Sequence, residues 1–114
     1  MVDINMAQDR EKIELYVSCR SLKNMDIMSK SDPQVIFFQK NNNSNQWNEL
    51  GRTEIIKNNL NPNFCKTFRI DFIFEIQQHI KFNVIDIDGP SSYDFIGEVQ
   101  TTVGKIVGSR NQVK

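Results

Sequence analysis

Apolar residues recur at every second position in short stretches along this chain, and polar, asparagine-rich segments separate the stretches. In Ile13-Glu14-Leu15-Tyr16-Val17-Ser18-Cys19 the alternation is strict, and in Phe64-Cys65-Lys66-Thr67-Phe68-Arg69-Ile70 the positions Phe64, Phe68 and Ile70 share one parity. A period of two sends successive side chains to opposite faces of an extended strand, so one face turns to a core and the other to water. The pattern predicts strands near residues 13–21, 33–39, 52–57, 66–72, 80–86 and 95–103, each β-branched and aromatic and bounded by turn chemistry. Helical periodicity is nearly absent, and the one candidate is a single turn at Glu75-Ile76-Gln77-Gln78-His79. Residues 1–12 carry no assignment and read as an N-terminal extension, residues 13–108 as the domain, and residues 109–114 as a C-terminal tail that stops short of a closing strand. Six short strands at this spacing predict an all-β fold, an antiparallel Greek-key β-sandwich.

The same parity assigns the core. Phe64, Phe68 and Phe72 lie on one predicted strand and Phe82 on the next, all on the inward face, while Trp47, between a loop and the Asn48-Glu49-Leu50-Gly51 turn, is expected to cap one end of the core. Cys19 falls on the inward face with Ile13, Leu15 and Val17, whereas Cys65 lies opposite Phe64, Phe68 and Ile70. Two thiols on opposite faces do not pair, and free thiols fit a reducing, cytosolic compartment. The runs Asn41-Asn42-Asn43-Ser44-Asn45 and Asn58-Asn59-Leu60-Asn61-Pro62-Asn63 are surface loops, with Pro62 holding Asn61 extended.

Composition narrows the function. The chain has 114 residues, 14 of them Lys or Arg and 14 Asp or Glu, and its mean hydropathy is −0.48. That length suits one domain with a single core. A net charge of zero offers no broad basic field for nucleic acid. Apolar runs such as Val35-Ile36-Phe37-Phe38 are far below the ~20 residues that span a bilayer. The N-terminal residues Met1-Val2-Asp3-Ile4 show neither an export signal nor a myristoylation motif. His79 is the only histidine, and no nucleophile motif or phosphate-cradling glycine loop accompanies it, so the chain is not expected to be an enzyme.

Candidate chemistry gathers in two acidic segments. The first is Asn24-Met25-Asp26-Ile27-Met28-Ser29-Lys30-Ser31-Asp32-Pro33, and the second is Asp86-Ile87-Asp88-Gly89-Pro90-Ser91-Ser92-Tyr93-Asp94. Asp86 and Asp88 are two apart on an extended backbone, and Gly89-Pro90 turns the chain so that Asp94 returns to them. If the sandwich brings the first segment alongside, Asp26 and Asp32 complete a cluster of five carboxylates. Hard oxygen donors in that number suit calcium, which takes six to eight of them in flexible geometry. Without a cation the cluster is costly, because two carboxylates about 4 Å apart repel by about 4 kcal/mol at an effective dielectric of 20. An EF-hand does not fit, since Gly89 follows the second Asp directly and Pro90 holds the fifth place.

These motifs resemble a known family. Leu22 through Asp32 with Lys30-Ser31-Asp32-Pro33, then Asn61-Pro62-Asn63-Phe64, and Asp86-Ile87-Asp88 with Asp94-Phe95-Ile96-Gly97, are similar to the C2 domain, a calcium-dependent phospholipid-binding β-sandwich. Val17-Ser18-Cys19-Arg20, Gly51-Arg52-Thr53-Glu54 and Asn58 to Pro62 resemble the first C2 domain of copines. The resemblance covers residues from about 12 to 108 and implies eight strands in two four-stranded sheets, of which the pattern shows six. It implies Asp26, Asp32, Asp86, Asp88 and Asp94 as calcium ligands, joined by the backbone carbonyls of Met25 and Ile87.

The function expected from both lines is a calcium-switched module, cytoplasmic and recruited to the plasma membrane or an intracellular membrane. Ile27, Met28 and Tyr93 stand at the loop tips as membrane-inserting groups, and Arg52 and Lys57, with Lys66 and Arg69, could form a basic strip for headgroup phosphates. The competing expectation is a calcium-independent protein interaction module that presents a sheet edge or loop to another chain.

Overall fold

The computed structural model describes residues 1–9, 11–24 and 30–112, with side chains placed outside 7–9 and 110–112. Seven strands and one helix follow in order: β1 Val2–Asp9, β2 Lys12–Cys19, β3 Pro33–Lys40, β4 Trp47–Arg52, β5 Asn63–Asp71, β6 His79–Gly89, β7 Ser92–Thr102 and α1 Val103–Gln112. They form a three-stranded sheet ordered β1-β2-β5 and a four-stranded sheet ordered β4-β3-β6-β7, and every pair is antiparallel. The chain crosses between the sheets after β2, β4 and β5, so β6 returns beside β3 in a Greek-key path. The expected all-β sandwich is the fold.

The alternation read from the sequence sets the core between the sheets. Ile13, Leu15, Val17 and Cys19 of β2 and Phe64, Phe68 and Ile70 of β5 face Val35 and Phe37 of β3 and Ile80, Phe82 and Val84 of β6, all buried. At the centre Phe37 stacks on Phe82 with ring centroids 4.9 Å apart and meets the tilted ring of Phe68 at 4.9 Å. Phe72 packs at the margin of this cluster, half-buried. Cys19 is buried and Cys65 exposed, both as free thiols. Burial pushes the Cys19 thiol up to about 11, which leaves little thiolate at neutral pH. A thiol reagent at neutral pH is therefore expected to label Cys65 alone in the folded chain and both cysteines after denaturation. Equal labelling rates at the two in the native state would contradict this packing.

Five assignments differ from the sequence pattern. Val2–Asp9, within the segment expected to be an extension, is a strand that pairs with β2 along its whole length, from Val2 opposite Cys19 to Asp9 opposite Lys12. The strand expected at 52–57 ends where β4 does, at Arg52. Beyond it Thr53 interrupts regular pairing: its backbone N–H donates to Val35 O (2.9 Å), and its hydroxyl accepts the Val35 N–H (2.9 Å), a side chain standing in for a ladder carbonyl. The helical turn expected at Glu75-Ile76-Gln77-Gln78-His79 is absent: residues 73–76 make a tight turn, closed by Ile76 N–H donating to Ile73 O (3.3 Å), and His79 already begins β6. Helix α1 lies instead at Val103–Gln112, where Val103 was expected to end a strand and 109–114 to be tail, and the Thr102 hydroxyl accepts the Lys105 N–H (3.2 Å) at its start. Trp47 does not cap the core. It stands half-buried on the outer side of the four-stranded sheet, with the Lys81 ammonium 4.6 Å and the Lys40 ammonium 6.0 Å from its ring centroid.

The asparagine-rich segment between β4 and β5 ties down the chain leaving β2. Leu22 N–H donates to Leu60 O (2.9 Å), Cys19 N–H to Pro62 O (2.9 Å) and Asn59 N–H to Ser31 O (3.0 Å). Asn61 Oδ1 accepts the Ser21 N–H (2.8 Å), and the Arg20 guanidinium reaches Asn63 Oδ1 (2.7 Å) and Cys19 O (2.6 Å). Ser21 and Asn58 take left-handed backbone angles, φ 56° and 53°, at the two bends this clamp requires. Residues on either side of the first acidic segment are thereby fixed next to the end of β6.

Candidate metal centre

The second acidic segment is a hairpin tip rather than a free loop. β6 runs on through Gly89 and β7 begins at Ser92, so Pro90 and Ser91 make the turn, and Asp86 lies directly across from Asp94. Like charges facing each other across a ladder destabilise a hairpin. A register shift between Ile87 and Gly89 adds twist there. Asp86, Asp88 and Asp94 each offer a carboxylate oxygen, and these oxygens lie within 4.8 Å of one another. Asp86 is fully buried, Asp94 half-buried and Asp88 exposed, so the group opens outward from a buried base.

Asp32 joins through the backbone. Its N–H donates to Asp86 Oδ1 (2.8 Å), its carbonyl accepts the Ile87 N–H (3.0 Å), and its own Oδ1 accepts the Asn58 N–H (2.8 Å). Fully buried Pro33 follows, opposite Asp86 in the β3·β6 ladder, and sets where Asp32 leaves the strand. The structure thus brings Asp86, Asp88 and Asp94 together as expected and places Asp32 in contact with their base. Met25, Asp26, Ile27 and Met28 lie outside the described residues.

The donor set fits calcium on two counts. All three groups are hard carboxylate oxygens. At a calcium–oxygen distance of 2.3–2.6 Å, two ligands of one ion stand at most about 5 Å apart, and the 4.8 Å spread falls inside that limit. Carboxylates this close repel by about 3 kcal/mol per pair at an effective dielectric of 20, which a divalent cation would reverse.

Around the cluster, Tyr93 and Phe95 of β7 are 60% and 54% exposed. The sequence reading singles out Tyr93 and misses Phe95, whose signal is its identical parity two residues on. The proposed basic residues do not form one strip. Arg52 belongs to the four-stranded sheet and Lys66 and Arg69 to the three-stranded one. Arg52 makes a two-pronged ion pair with Glu49 (2.7 and 3.0 Å), and that bond raises its affinity for the proton and lowers that of Glu49. Arg69 leans on Glu14 at 3.5 Å. Lys57 is exposed and adjoins Asn58, hence the cluster.

Comparison with known proteins agrees with the fold. Residues 13–114 match the sequence profile described as C2 domain. The chain is 48% identical to Copine-E of Dictyostelium discoideum over 101 residues, 84% of this chain and 17% of that protein. It is 40% identical to Copine-B of the same organism over 110 residues, 90% of this chain and 21% of that protein. It thus spans about a fifth of the length of these curated relatives. Among solved structures, BON1-C2B superposes with a TM-score of 0.71 at 22% identity, covering 89% of this chain and 70% of that one. The calcium-bound pair of C2 domains from Extended-Synaptotagmin 2 superposes with a TM-score of 0.66 at 20% identity, covering 89% of this chain and 37% of that one. At these identities the solved structures speak for the fold, and among the described residues no helix is long and apolar enough to cross a membrane. With its two antiparallel sheets, its matching profile and its similarity to copines, this chain belongs to the C2 domain family.

Proposed function

We propose that this domain docks onto anionic phospholipid membranes when calcium is present, with Asp32, Asp86, Asp88 and Asp94 holding the cation and Asp26 completing the set. The convergence of three carboxylate oxygens within 4.8 Å at one pole of the sandwich carries this reading. C2 domains of copine type are binding modules for membrane lipids or proteins rather than catalysts, and a calcium-bound C2 pair is among the structures sharing this fold. The backbone carbonyls of Met25 and Ile87 are the further ligands expected from the family pattern.

Calcium, when bound, supplies positive charge and coordination positions that phosphate oxygens of a lipid headgroup can fill. The residues of the chain do the rest. Before calcium arrives, the carboxylates at this pole repel an anionic surface, and that repulsion acts within a Debye length of about 8 Å at physiological ionic strength. Burial of Asp86 and its bond from the Asp32 N–H hold the base of the site in place, so little ordering is needed on binding. Exposed Tyr93, with Ile27 and Met28 of the first segment, enters the interfacial region of the membrane, where an aromatic ring of this exposure contributes about 2 kcal/mol. Lys57 beside the cluster meets headgroup phosphates, and Arg52 does so while sharing its charge with Glu49. The protein is then cytoplasmic, moving to the plasma membrane or an intracellular membrane as calcium rises.

Co-sedimentation with phosphatidylserine vesicles tests this. The chain is expected in the pellet with calcium and in the supernatant with chelator. Equal partition in both conditions, or no calcium binding by calorimetry up to millimolar concentration, would overturn the switch and favour a calcium-independent protein interaction module.

A further inference from the structure

Ile36 of β3 and Ile85 of β6 are buried, yet neither belongs to the cluster between the sheets. Val35, Phe37 and Val84 beside them face inward, so by alternation both lie on the outer face of the four-stranded sheet. Phe95 stands directly across the ladder from Ile85, and Arg52 directly across from Ile36. Tyr93 shares the parity of Phe95, and the two rings, 60% and 54% exposed, complete an apolar patch on this face.

The patch has a definite place. It starts at the metal cluster, because Asp94 stands between Tyr93 and Phe95 in the chain. On β6 and β7 it stops at the next outward pair, Asn83 and Glu98, whose carboxylate meets the Lys81 ammonium at 4.0 Å. The opposite flank of the same pole is polar: the corresponding rung of the three-stranded sheet is Asp3, Ser18 and Asn63, and the Arg20 guanidinium bonds to Asn63. An exposed apolar patch with a polar border marks a contact surface. Its continuity with the cluster and the Arg52 cation at its border make an anionic lipid surface the occupant.

We infer that Phe95 is a lipid-contacting residue and that the docked domain leans onto this flank, with the outer face of β7 against the bilayer and the three-stranded sheet turned away. The inference rests on the calcium-dependent docking proposed above. Upright docking on the loop tips would hold Phe95 about 7 Å behind Tyr93 along the strand, whereas leaning brings both rings to one depth. Apolar groups of interfacial segments reach about 5–10 Å into the boundary between headgroups and acyl chains, and Arg52 then meets headgroup phosphates from the border of the patch.

Phe95→Ala is expected to bind calcium like the native chain by calorimetry and to bind phosphatidylserine vesicles in calcium about tenfold more weakly, the effect of losing half of a buried aromatic side chain. Phe74→Ala removes a more exposed ring, 86%, between β5 and β6 at the other end of the sandwich, and is expected to leave vesicle binding unchanged. A fluorescent probe tests the lean directly. In a Trp47→Phe background, Phe95→Trp is expected to shift its emission to the blue and to be quenched by brominated lipid when calcium is added. Asp3→Trp in the same background is expected to show neither, although it removes a negative charge and would only favour approach to the vesicle. Native-like vesicle binding by Phe95→Ala, equal quenching at positions 3 and 95, or no quenching at 95 in a chain that still pellets with calcium would refute the inference and leave the calcium switch standing. A native chain that stays in the supernatant with calcium would remove both.

Discussion

Asp86→Asn is expected to abolish calcium-dependent sedimentation with phosphatidylserine vesicles while leaving the fold intact. Asn is nearly isosteric with Asp and can still present an oxygen to the Asp32 N–H, so the bond that anchors the base of the site, 2.8 Å in the native chain, survives. What disappears is the fully buried negative charge at the base of the cluster. Without calcium the variant is expected to melt at or slightly above the native temperature, because its remaining carboxylates face less repulsion. With calcium the two proteins part. At a calcium concentration 100 times the dissociation constant the native chain gains about 2.7 kcal/mol, on the order of 10 °C in melting temperature for a domain of this size, and the variant is expected to gain almost none. Thermal denaturation with and without calcium, run beside the vesicle assay, checks both. Full vesicle binding by Asp86→Asn would remove this residue from the site.

The second large effect belongs to the core. Phe82→Ala is expected to destabilise the domain by about 3–5 kcal/mol, a large part of the 5–15 kcal/mol that holds a typical domain together. Phe82 is fully buried, and its loss leaves Phe37, 4.9 Å away between centroids, and Phe68, 6.3 Å away, facing a cavity from both sheets at once. Phe74 is the control. It is 86% exposed, and its alanine variant is expected to change stability by less than about 0.5 kcal/mol. Urea denaturation of the two variants measures the difference, and similar losses would mean that the inter-sheet cluster is not the source of stability.

Much of this was legible in the chain because strand alternation is a local property. The parity that put Cys19 inward and Cys65 outward needed only the seven residues around each, and both are where it placed them. β4 was misplaced for the opposite reason. Trp47-Asn48-Glu49-Leu50-Gly51-Arg52 is an edge strand with most of its residues exposed, so it has no apolar rhythm to find. β1 does alternate, with Val2, Ile4 and Met6 inward, but the run is short and diluted by Asp3, Asn5 and Gln8, and its pairing partner settles it. Trp47, between a loop and a turn, reads as a lid over one end of the core, yet it rests against Lys81 on the outer face, because its ladder position opposite Lys40 gives it that side.

The acidic cluster divides the same way. Its membership was written in the sequence: Asp86, Asp88 and Asp94 are close along the chain, and a Gly-Pro turn between them leaves few ways to keep them apart. Their unequal exposure was not. Asp86 is buried because β3 and β7 flank it in the sheet, and it is held by the Asp32 N–H from 54 residues away. By itself the sequence determined the strand faces, the core aromatics, the thiol environments and which carboxylates cluster at the hairpin. The tertiary structure alone decided the pairing of β1 and β4, the outward position of Trp47 and the buried base of the site. Periodicity and turn chemistry act between neighbours, whereas burial and pairing depend on which distant segment arrives alongside.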